Sequence, residues 1–348
     1  QLLSDLQGAG NAGEYYTPRA VTQFMADRVD PRPGELIFDP ACGTGGFLTS
    51  AIRHMRDPKN PHGVKSVKDE ARMQAGLRAV EKKQLPHLLC STNMLLHGIE
   101  DPSFVRHDNT LAKPYISWGQ SDRVDVVLTN PPFGGREEDG IDSNFPQHFR
   151  TKETADLFLA LIIRLLKSGG RAALVLPDGT LFGEGVKTRL KEALLSECNL
   201  HTIVRLPNGV FNPYTSIRTN LLFFTKGGPT KDVWYYEHPY PAGAKSYNKG
   251  KPIRIEEFAA ERAWWGSESD GFAARVENAQ AWKVSAETIK ASGFNLDLKN
   301  PHAPEEVAAD VEHLLPEYEK LLAQIAETRA ELKAELQQAL MATSGSGK

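Results

Sequence analysis

The amino-acid sequence predicts an α/β fold, with a mainly parallel sheet that carries helices on both faces. Three observations lead to this prediction. From about 36 to 237, short runs of β-forming residues alternate with amphipathic helical stretches. The segment 124–128 is almost continuously apolar, which is typical of a strand covered on both sides. Gly169 and Gly170 separate a helix from the following strand, the order that β-α-β units require.

The predicted elements follow from local patterns. Strands are predicted at 36–38, 124–129, 172–176, 201–206 and 221–225. A glycine turn joins the first strand to a predicted helix over 47–56. A second helix is predicted over 154–167, because Leu157, Leu161 and Leu165 recur on one helical face and the glycine pair ends the pattern.

Composition sets the general class of the protein. The 348 residues are 40% hydrophobic and 24% charged, and this length is enough to bury a large core. The net charge of −3 excludes a strongly basic nucleic-acid coat. The apolar run 157–163 is too short to span a membrane, and the first residues do not resemble a signal peptide. The three cysteines have no metal-ligand spacing, so we expect no metal and a reducing, cytoplasmic location.

The residue composition of the sequence changes at 229 and again at 305. We divide the chain into an N-terminal segment (1–30), a core (31–228), a β-containing annex with loops (229–304), a helix (305–340) and a flexible tail (341–348).

The predicted C-terminal helix carries a narrow apolar stripe. Its members recur at steps of three, four and seven residues, which favours a coiled-coil-like helix: Leu314, Tyr318, Leu321, Ile325, Leu332, Leu336 and Leu340. The segment 305–340 holds nine acidic and three basic residues, a net charge of −6. It is either a docking helix or a helix packed on its own domain.

The turn after the first strand reads DPACGTGG over 39–46. Glycines let a backbone pass close to a ligand, and the following helix begins with unpaired N–H groups. The spacing is not that of a pyrophosphate-binding loop. Asp39 would repel a pyrophosphate but suits an ammonium group, and S-adenosyl-L-methionine carries an ammonium, a carboxylate and a sulfonium. The alternative is a tight turn without a ligand.

The strand at 124–129 ends in Asn130, Pro131, Pro132 and Phe133. Two prolines stiffen the chain and leave carbonyl groups free to accept hydrogen bonds. With the Asn130 side chain they can hold a planar amino group, while a ring stacks on Phe133. Acceptors outside the ring plane favour a tetrahedral nitrogen, whose lone pair can then attack a methyl group. The alternative is a stiff strand exit with a core phenylalanine.

These two turns together resemble the amino-group DNA methyltransferases, and above all the modification (M) subunit of type I restriction–modification systems. Segments 13–19 (GEYYTPR), 92–99 and 167–183 are also similar to that family. The resemblance extends from residue 13 to about 340. It implies a Rossmann-like, S-adenosylmethionine-dependent methyltransferase fold.

The resemblance also implies roles for individual residues. The segment before the first strand would close over the methionine part and the sulfonium of the cofactor: Glu14, Tyr15, Tyr16, Thr17, Pro18 and Arg19. Asp39 would face the ammonium group. The backbone of the glycine turn would approach the cofactor at Ala41, Gly43, Thr44, Gly45 and Gly46.

Two further acidic residues are implied, each with an ordinary alternative. Glu81 would bind the ribose hydroxyls, or it is a solvated helix charge. Asp108 would meet the cofactor adenine, or it belongs to an Asp-Asn turn. Asn130 to Phe133 would hold the target adenine.

The implied reaction is methyl transfer to the N6 amino group of an adenine flipped out of double-stranded DNA, which protects host DNA from restriction. No covalent intermediate is required, and we interpret Cys42 and Cys90 as small buried residues. Only 20 residues separate Phe133 from Thr154, and 229–304 resembles no major-groove reader. A separate specificity (S) subunit is therefore implied, docked on the C-terminal helix. A second M subunit and a restriction (R) subunit belong to such systems.

Several alternatives stay open at this point. The family usually carries a helical domain before the Tyr-Tyr-Thr-Pro segment, and we expect it to be absent here through truncation or as a shortened variant. The same motifs would serve a methyltransferase of RNA or protein, or a scaffold that binds cofactor without catalysis. The basic run 245–254 is either a phosphate-binding or a solvated loop. His148 and His238 are interpreted as structural.

Overall fold

The computed structural model of the protein describes residues 16–133, 135–244, 246–303 and 311–344. The chain divides into two compact units, Gln1–His302 and Ala303–Lys348. The helices of the first unit are α1 (Arg19–Val29), α2 (Gly46–Arg56), α3 (Val67–Gly76), α4 (Gln84–Leu96), α5 (Thr154–Leu165), α6 (Asp178–Phe182), α7 (Val186–Glu197), α8 (Ala259–Trp264) and α9 (Ala286–Ala291). Its strands are β1 (Ile37–Asp39), β2 (Leu77–Glu81), β3 (Val105–His107), β4 (Val124–Thr129), β5 (Leu166–Pro177), β6 (Cys198–Arg205), β7 (Thr219–Lys226), β8 (Asp232–Glu237) and β9 (Ala281–Ser285).

The nine strands form one sheet in the order β3-β2-β1-β4-β5-β7-β6-β8-β9. Strands β1 to β5 pair in parallel, β7 runs antiparallel to both β5 and β6, and β8 is parallel to β6. The strand order reverses between β1 and β4. In open α/β sheets such a switch point leaves a crevice beyond the carboxyl ends of the two strands.

The predicted α/β fold is confirmed. The five predicted strands correspond to β1, β4, β5, β6 and β7, and the two predicted helices correspond to α2 and α5. The prediction that Gly169 and Gly170 end the second helix is wrong, because α5 ends at Leu165 and both glycines lie within β5. β2 and β3 were not among the predicted strands, because they are short and each exposes polar side chains. α5 is buried on almost every side, since helices and the sheet enclose it.

Segment 229–304 continues the main sheet. β8 pairs with β6 and β9 pairs with β8, so these strands extend the sheet by two. Tyr235 and Trp282 stack across this pair with ring centroids 5.1 Å apart. Phe258 stacks on Phe24 of α1 at 4.3 Å, so the aromatic residues of this segment pack into the main core.

The second unit contains one long helix, α10 (Val311–Ser344), with Pro316 inside it. Residues 304–310, where the predicted helix begins, and 345–348 of the predicted tail lie outside the described residues. Residues 341–344, predicted as part of the flexible tail, instead belong to α10. The described apolar side chains of α10 are exposed: Tyr318, Leu321, Leu322, Ile325 and Leu332. Within the described part of the chain, no helix has both the length and the apolar character to cross a lipid bilayer.

Candidate functional site at the carboxyl edge of the sheet

The predicted site residues meet at one edge of the sheet. Asp39 ends β1, Glu81 ends β2, Asp108 follows β3 and Asn130 follows β4. These four strands are neighbours and run in parallel, so their carboxyl ends line the same crevice. Residues that are up to 91 positions apart in the sequence thus belong to one site.

The glycine turn between β1 and α2 is held by hydrogen bonds from neighbouring elements. Asn93 Nδ2 of α4 donates to the Thr44 carbonyl (3.1 Å), and Thr110 Oγ1 donates to the Pro40 carbonyl (2.6 Å). Sequence reasoning gave these two residues no role. Asn93 lies in segment 92–99, whose similarity to the family could have indicated a role for this residue. Together these bonds keep the turn in a defined position.

Gly43 and Gly45 both adopt the left-handed conformation, with φ of +53° and +85°. Such φ values strain residues that carry a side chain. A Cβ at Gly43 would face open space, whereas a Cβ at Gly45 would lie 2.8 Å from Cys90 Sγ. Gly43 therefore leaves room for a ligand, and Gly45 lets the turn pack closely on α4.

Asp39 is buried, with 1% of its surface exposed. One carboxylate oxygen accepts a hydrogen bond from the Ala41 N–H (3.2 Å). The other, Oδ2, is buried without a hydrogen-bond partner among the described residues. Burial raises the pKa of Asp39 to about 7, although the Thr129 hydroxyl and the Ala41 N–H oppose the shift. Such a carboxyl group is suited to receiving a cationic group from a ligand.

Glu81 ends strand β2, so it is not a helix charge. Its Oε2 accepts from the Gly43 N–H and its Oε1 accepts from the Lys83 N–H, both at 2.8 Å. The carboxylate thus links the glycine turn after β1 to the end of β2. The predicted ribose contact stays a prediction.

Asp108 is exposed directly after β3. Its backbone N–H donates to the Glu81 carbonyl (3.1 Å), and its Oδ1 accepts from the Asn109 N–H (2.8 Å). Asp108 thus lies beside Glu81 at the crevice and also takes part in a local turn. Its predicted contact with the cofactor adenine stays a prediction.

The turn 130–133, which we call the catalytic turn after its predicted role, is linked to the N-terminal segment through Asn130. Asn130 Nδ2 donates to Thr17 Oγ1 (3.0 Å), across 113 positions of sequence. Its Oδ1 is buried and has no hydrogen-bond partner among the described residues. Thr17 thus orients the amide so that its acceptor oxygen is left available.

The rest of the N-terminal segment is described from Tyr16 onward; Glu14 and Tyr15 lie outside the described residues. Arg19 begins α1 after Pro18, and its Nε donates to the Tyr16 hydroxyl (3.4 Å). Tyr16 and Thr17 therefore lie on the chain that enters α1, next to the catalytic turn.

Phe133 is almost completely buried, at 1% exposure. Its ring contacts Phe211 edge to face, with centroids 6.4 Å apart. Pro131 is buried and Pro132 is partly exposed, as expected of a stiff strand exit. The ring of Phe133 lies in the wall of the site under Phe211, and its predicted stacking on a base stays a prediction.

The three cysteines are free thiols and all are buried. Cys42 and Cys90 lie with their sulfur atoms 3.7 Å apart. The hydrogen bond to Cys90 and burial raise the pKa of the Cys42 thiol, and burial raises the pKa of Cys198 to about 12. Thiols with raised pKa values are poor nucleophiles at neutral pH. The interpretation of Cys42 and Cys90 as small buried residues is confirmed.

A cavity of about 700 Å³ opens near the amino end of β5, away from the predicted site residues. Its wall includes an ion-pair cluster in which His54 contacts Asp27 (3.1 Å) and Asp30 (2.8 Å). Burial alone would lower the pKa of His54, but the hydrogen bonds that its ring donates to Asp27 and Asp30 raise the pKa to about 9. The charged groups of this cluster neutralise one another.

His238 is buried against Glu261, to which its ring is hydrogen-bonded. His148 lies beside the Phe149 ring, with ring centroids 4.2 Å apart. The buried hydrogen bond of His238 fits its interpretation as structural, whereas His148 is exposed and its interpretation stays a prediction.

Comparison with known proteins assigns the family. The model of the N-6 DNA methylase family matches residues 1–310. The chain belongs to the N-6 DNA methylase family. The predicted resemblance to modification subunits is therefore confirmed, and with it the Rossmann-like methyltransferase fold.

Relatives of this chain include type I methylase subunits. The chain is 61% identical to the type I restriction enzyme EcoEI methylase subunit of Escherichia coli over 345 residues, 99% of this chain and 69% of that protein. It is 33% identical to the EcoKI methylase subunit of Escherichia coli K12, over 79% of this chain and 53% of that protein. A crystal structure of a modification subunit from Vibrio vulnificus YJ016 superposes with a TM-score of 0.78 and 47% identity, covering 88% of this chain and 64% of that chain. The chain thus spans about half to two thirds of the length of these relatives.

Proposed function

We propose that this chain is the catalytic part of an adenine-specific DNA methyltransferase, in which a methyl group passes from S-adenosyl-L-methionine to the N6 amino group of a flipped adenine. The family and the names of the relatives support a DNA methylase subunit of a type I restriction enzyme. The N6 position is the exocyclic amino group of adenine. Since that group is stacked and paired in duplex DNA, the base has to leave the helix before it reacts.

The unpartnered oxygen of Asn130 is the observation that carries this proposal. A hydrogen bond to Thr17 uses the amide nitrogen and leaves Oδ1 as a buried acceptor. An adenine amino group has two hydrogens and a lone pair that is delocalised into the ring. An acceptor that draws on these hydrogens favours the more tetrahedral nitrogen of the transition state, and burial strengthens the interaction.

The residues of the crevice fit the cofactor. The orphaned oxygen of Asp39 suits the ammonium group, and the open space at Gly43 allows the ligand to approach the backbone. α2 begins without a side-chain cap, so its N–H groups suit a carboxylate. Bound there, S-adenosyl-L-methionine would supply an activated methyl group on its sulfonium. Glu81 and Asp108 would then hold the ribose and the adenine of the cofactor.

The proposed reaction is a direct transfer. The N6 nitrogen would form a bond to the methyl carbon, the bond from that carbon to sulfur would break with its electron pair passing to sulfur, and the amino group would release one proton to solvent. Asn130 holds the amino group during this step and forms no covalent bond. The cysteines take no part, since all three are buried thiols and two of them have raised pKa values.

The choice of DNA site is proposed to come from a separate specificity subunit that docks on α10. The exposed apolar side chains of α10 include Tyr318, Leu321 and Ile325. A helix with such a stripe is stabilised when a partner helix covers it. Deleting 305–342 should therefore prevent co-purification with the specificity subunit, and unchanged assembly would contradict this. A second modification subunit and a restriction subunit complete the proposed assembly, which acts on double-stranded DNA in the cytoplasm.

Substitution of Asn130 tests the catalytic proposal. In the complex with its specificity subunit, Asn130→Ala should reduce methyl transfer to DNA by about 100- to 1000-fold, the loss expected for one such preorganised group. Binding of S-adenosyl-L-methionine, measured by calorimetry, should change little. Asn130→Asp is the matched variant, because it keeps an acceptor oxygen at the same position and should retain more activity.

The substrate class is tested in the same assay by offering labelled cofactor with DNA, RNA and protein fractions. The label should enter adenine in DNA. Label in RNA or in protein amides would show that the substrate is RNA or protein and not DNA. Full activity of Asn130→Ala would overturn the proposed mechanism. Absence of any single turnover on hemimethylated DNA would favour a non-catalytic scaffold.

A further inference from the structure

Two connections leave the edge of the sheet that carries Asn130. β6 and β8 both run parallel to β4, so the segments 206–218 and 238–280 begin at its carboxyl edge. The second segment contains the basic run 245–254, for which the sequence alone is consistent with either a phosphate-binding or a solvated loop. The topology thus brings this run to the side of the sheet where the proposed substrate enters.

The basic run is anchored by buried side chains. Tyr247 is 3% exposed, and its hydroxyl donates to Glu257 Oε2 (2.6 Å). Its carbonyl accepts from Asn212 Nδ2 of the other connection (3.1 Å). Ile253 is also buried. Because both ends of the run are fixed in this way, the residues between them have a defined position.

The residues between these anchors form a tight hairpin, 248–251, which we call the basic hairpin. Asn248 and Lys251 exchange backbone hydrogen bonds of 3.3 and 3.0 Å. Asn248 Oδ1 also accepts from the N–H groups of Gly250 (2.9 Å) and Lys251 (3.0 Å). Lys249 and Lys251 are exposed, and the run 245–254 contains four basic and no acidic residues.

Short contacts connect the basic hairpin to the catalytic turn. Asn212, which binds the Tyr247 carbonyl, follows Phe211 in the chain. The Phe211 ring packs on Phe133, three residues after Asn130. One loop therefore touches the catalytic turn on one side and the hairpin on the other.

A second exposed cation belongs to the same loop. Arg218 is exposed, and its Nε donates to Asn208 Oδ1 (2.8 Å), which orients the guanidinium. Among the described residues, neither Arg218 nor Lys251 has a carboxylate within ion-pair distance. Arg254 differs from them, since it pairs with Glu257 at 3.4 Å.

We infer that the basic hairpin and Arg218 bind phosphate groups of the DNA backbone beside the adenine that enters the site. The inference rests on the proposed function. Lysine and arginine side chains that contact phosphates position a protein on DNA without reading sequence. Lys251 and Arg218, which meet no carboxylate among the described residues, would hold the backbone near the extruded base. The weak overall charge of −3 makes such local contacts important for binding.

The test compares Lys251→Ala, Arg218→Ala and the double variant, each assembled as the full chain with its specificity subunit. Lys68→Ala is the matched control, because Lys68 is exposed on α3, which precedes β2 and lies away from the carboxyl edge. Binding to a fluorescent duplex is measured by anisotropy at several salt concentrations. Methyl transfer is measured separately at saturating duplex.

Each single variant should lower the slope of log affinity against log salt by about 0.9, and the double variant by about twice that amount. The slope for Lys68→Ala should equal that of the parent. Lys251→Arg should restore the parental slope, which a merely structural role of the side chain does not predict. Turnover of the control Lys68→Ala at saturating duplex should stay close to that of the parent.

An unchanged slope in the double variant overturns the inference, and so does a fall in turnover at saturating duplex without a change in slope. The proposed function fails in a different way: the parent complex would then transfer no methyl group to any duplex. Reduced slopes in the variants of such an inactive parent would still support the phosphate contacts.

Discussion

Replacing Gly45 with alanine tests how the glycine turn is packed. At φ +85° an alanine is strained by about 1–2 kcal/mol. Its Cβ would lie 2.8 Å from Cys90 Sγ and 3.2 Å from Met94 Cε, so the buried thiol has to move. Overpacking of this kind costs about 1–3 kcal/mol. We therefore expect Gly45→Ala to lower the free energy of unfolding by about 2–5 kcal/mol.

Gly43→Ala is the matched control. Gly43 also has a positive φ, +53°, but an added Cβ would meet nothing within 4 Å. Only the conformational strain of about 1–2 kcal/mol remains. Both substitutions reduce the flexibility of the unfolded chain alike, so the difference between the two variants isolates the contact with Cys90. Gly43→Ala should instead weaken cofactor binding, because its Cβ points into the space proposed for the ligand.

The assay combines urea unfolding with calorimetric titration of S-adenosyl-L-methionine. A double-mutant cycle with Cys90→Ala adds a check, since removal of the thiol should relieve most of the contact cost of Gly45→Ala. Equal destabilisation by the two glycine variants, together with no coupling to Cys90→Ala, would refute the packing argument. Unchanged cofactor affinity in Gly43→Ala would refute the proposed position of the ligand.

Three further predictions concern charged groups. The pKa of Asp39 is raised to about 7 by burial, so the carboxyl is protonated below pH 7 and ionised above it; cofactor affinity should rise by up to about tenfold per unit as pH increases toward 7 and then level off. Asp39→Asn should bind weakly with no such pH dependence, and a parental profile in that variant would contradict the role in ammonium binding. Glu81→Gln keeps only one acceptor oxygen for the Gly43 and Lys83 N–H groups, so urea unfolding should report a loss of about 1 kcal/mol together with weaker cofactor binding. Unchanged stability there would mean that Glu81 does not hold the turn. Burial alone would lower the pKa of His54, but Asp27 and Asp30 raise it to about 9. The protonated ring should therefore stabilise the folded protein fully below about pH 6.5, and this stabilisation should be lost as the pH rises through 9. His54→Gln should flatten this part of the pH profile of the urea midpoint, and an identical slope in both proteins would exclude the effect.

Much of the fold could be predicted because its signals are local. The continuous apolar run of β4 and the helical spacing in α5 each lie within a few residues of sequence. β2 and β3 escaped prediction because they are short and partly polar, and they are strands mainly because β1 offers them a parallel neighbour. Context of this kind overrides weak propensity.

The site divides in the same way. Asp39, the glycines and Asn130 were predicted, because their turns restrict the backbone or supply acceptors within a few residues. The sequence did not indicate that Phe211, from a loop 78 positions further along the chain, contacts the ring of Phe133. Asn93 also had no predicted role, because its target is a backbone carbonyl of a distant turn.

The sequence by itself determined the alternation of strands and helices, the glycine turn and the stiff Asn-Pro-Pro-Phe turn, because periodicity, backbone freedom and fixed proline φ act over short distances. Only the tertiary structure decided which groups meet. It set the amide of Asn130 against Thr17, Glu81 against Gly43, and the basic hairpin beside the catalytic turn. Those contacts join residues 35 to 113 positions apart, and they exist because parallel strands bring their carboxyl ends to one edge of a single sheet.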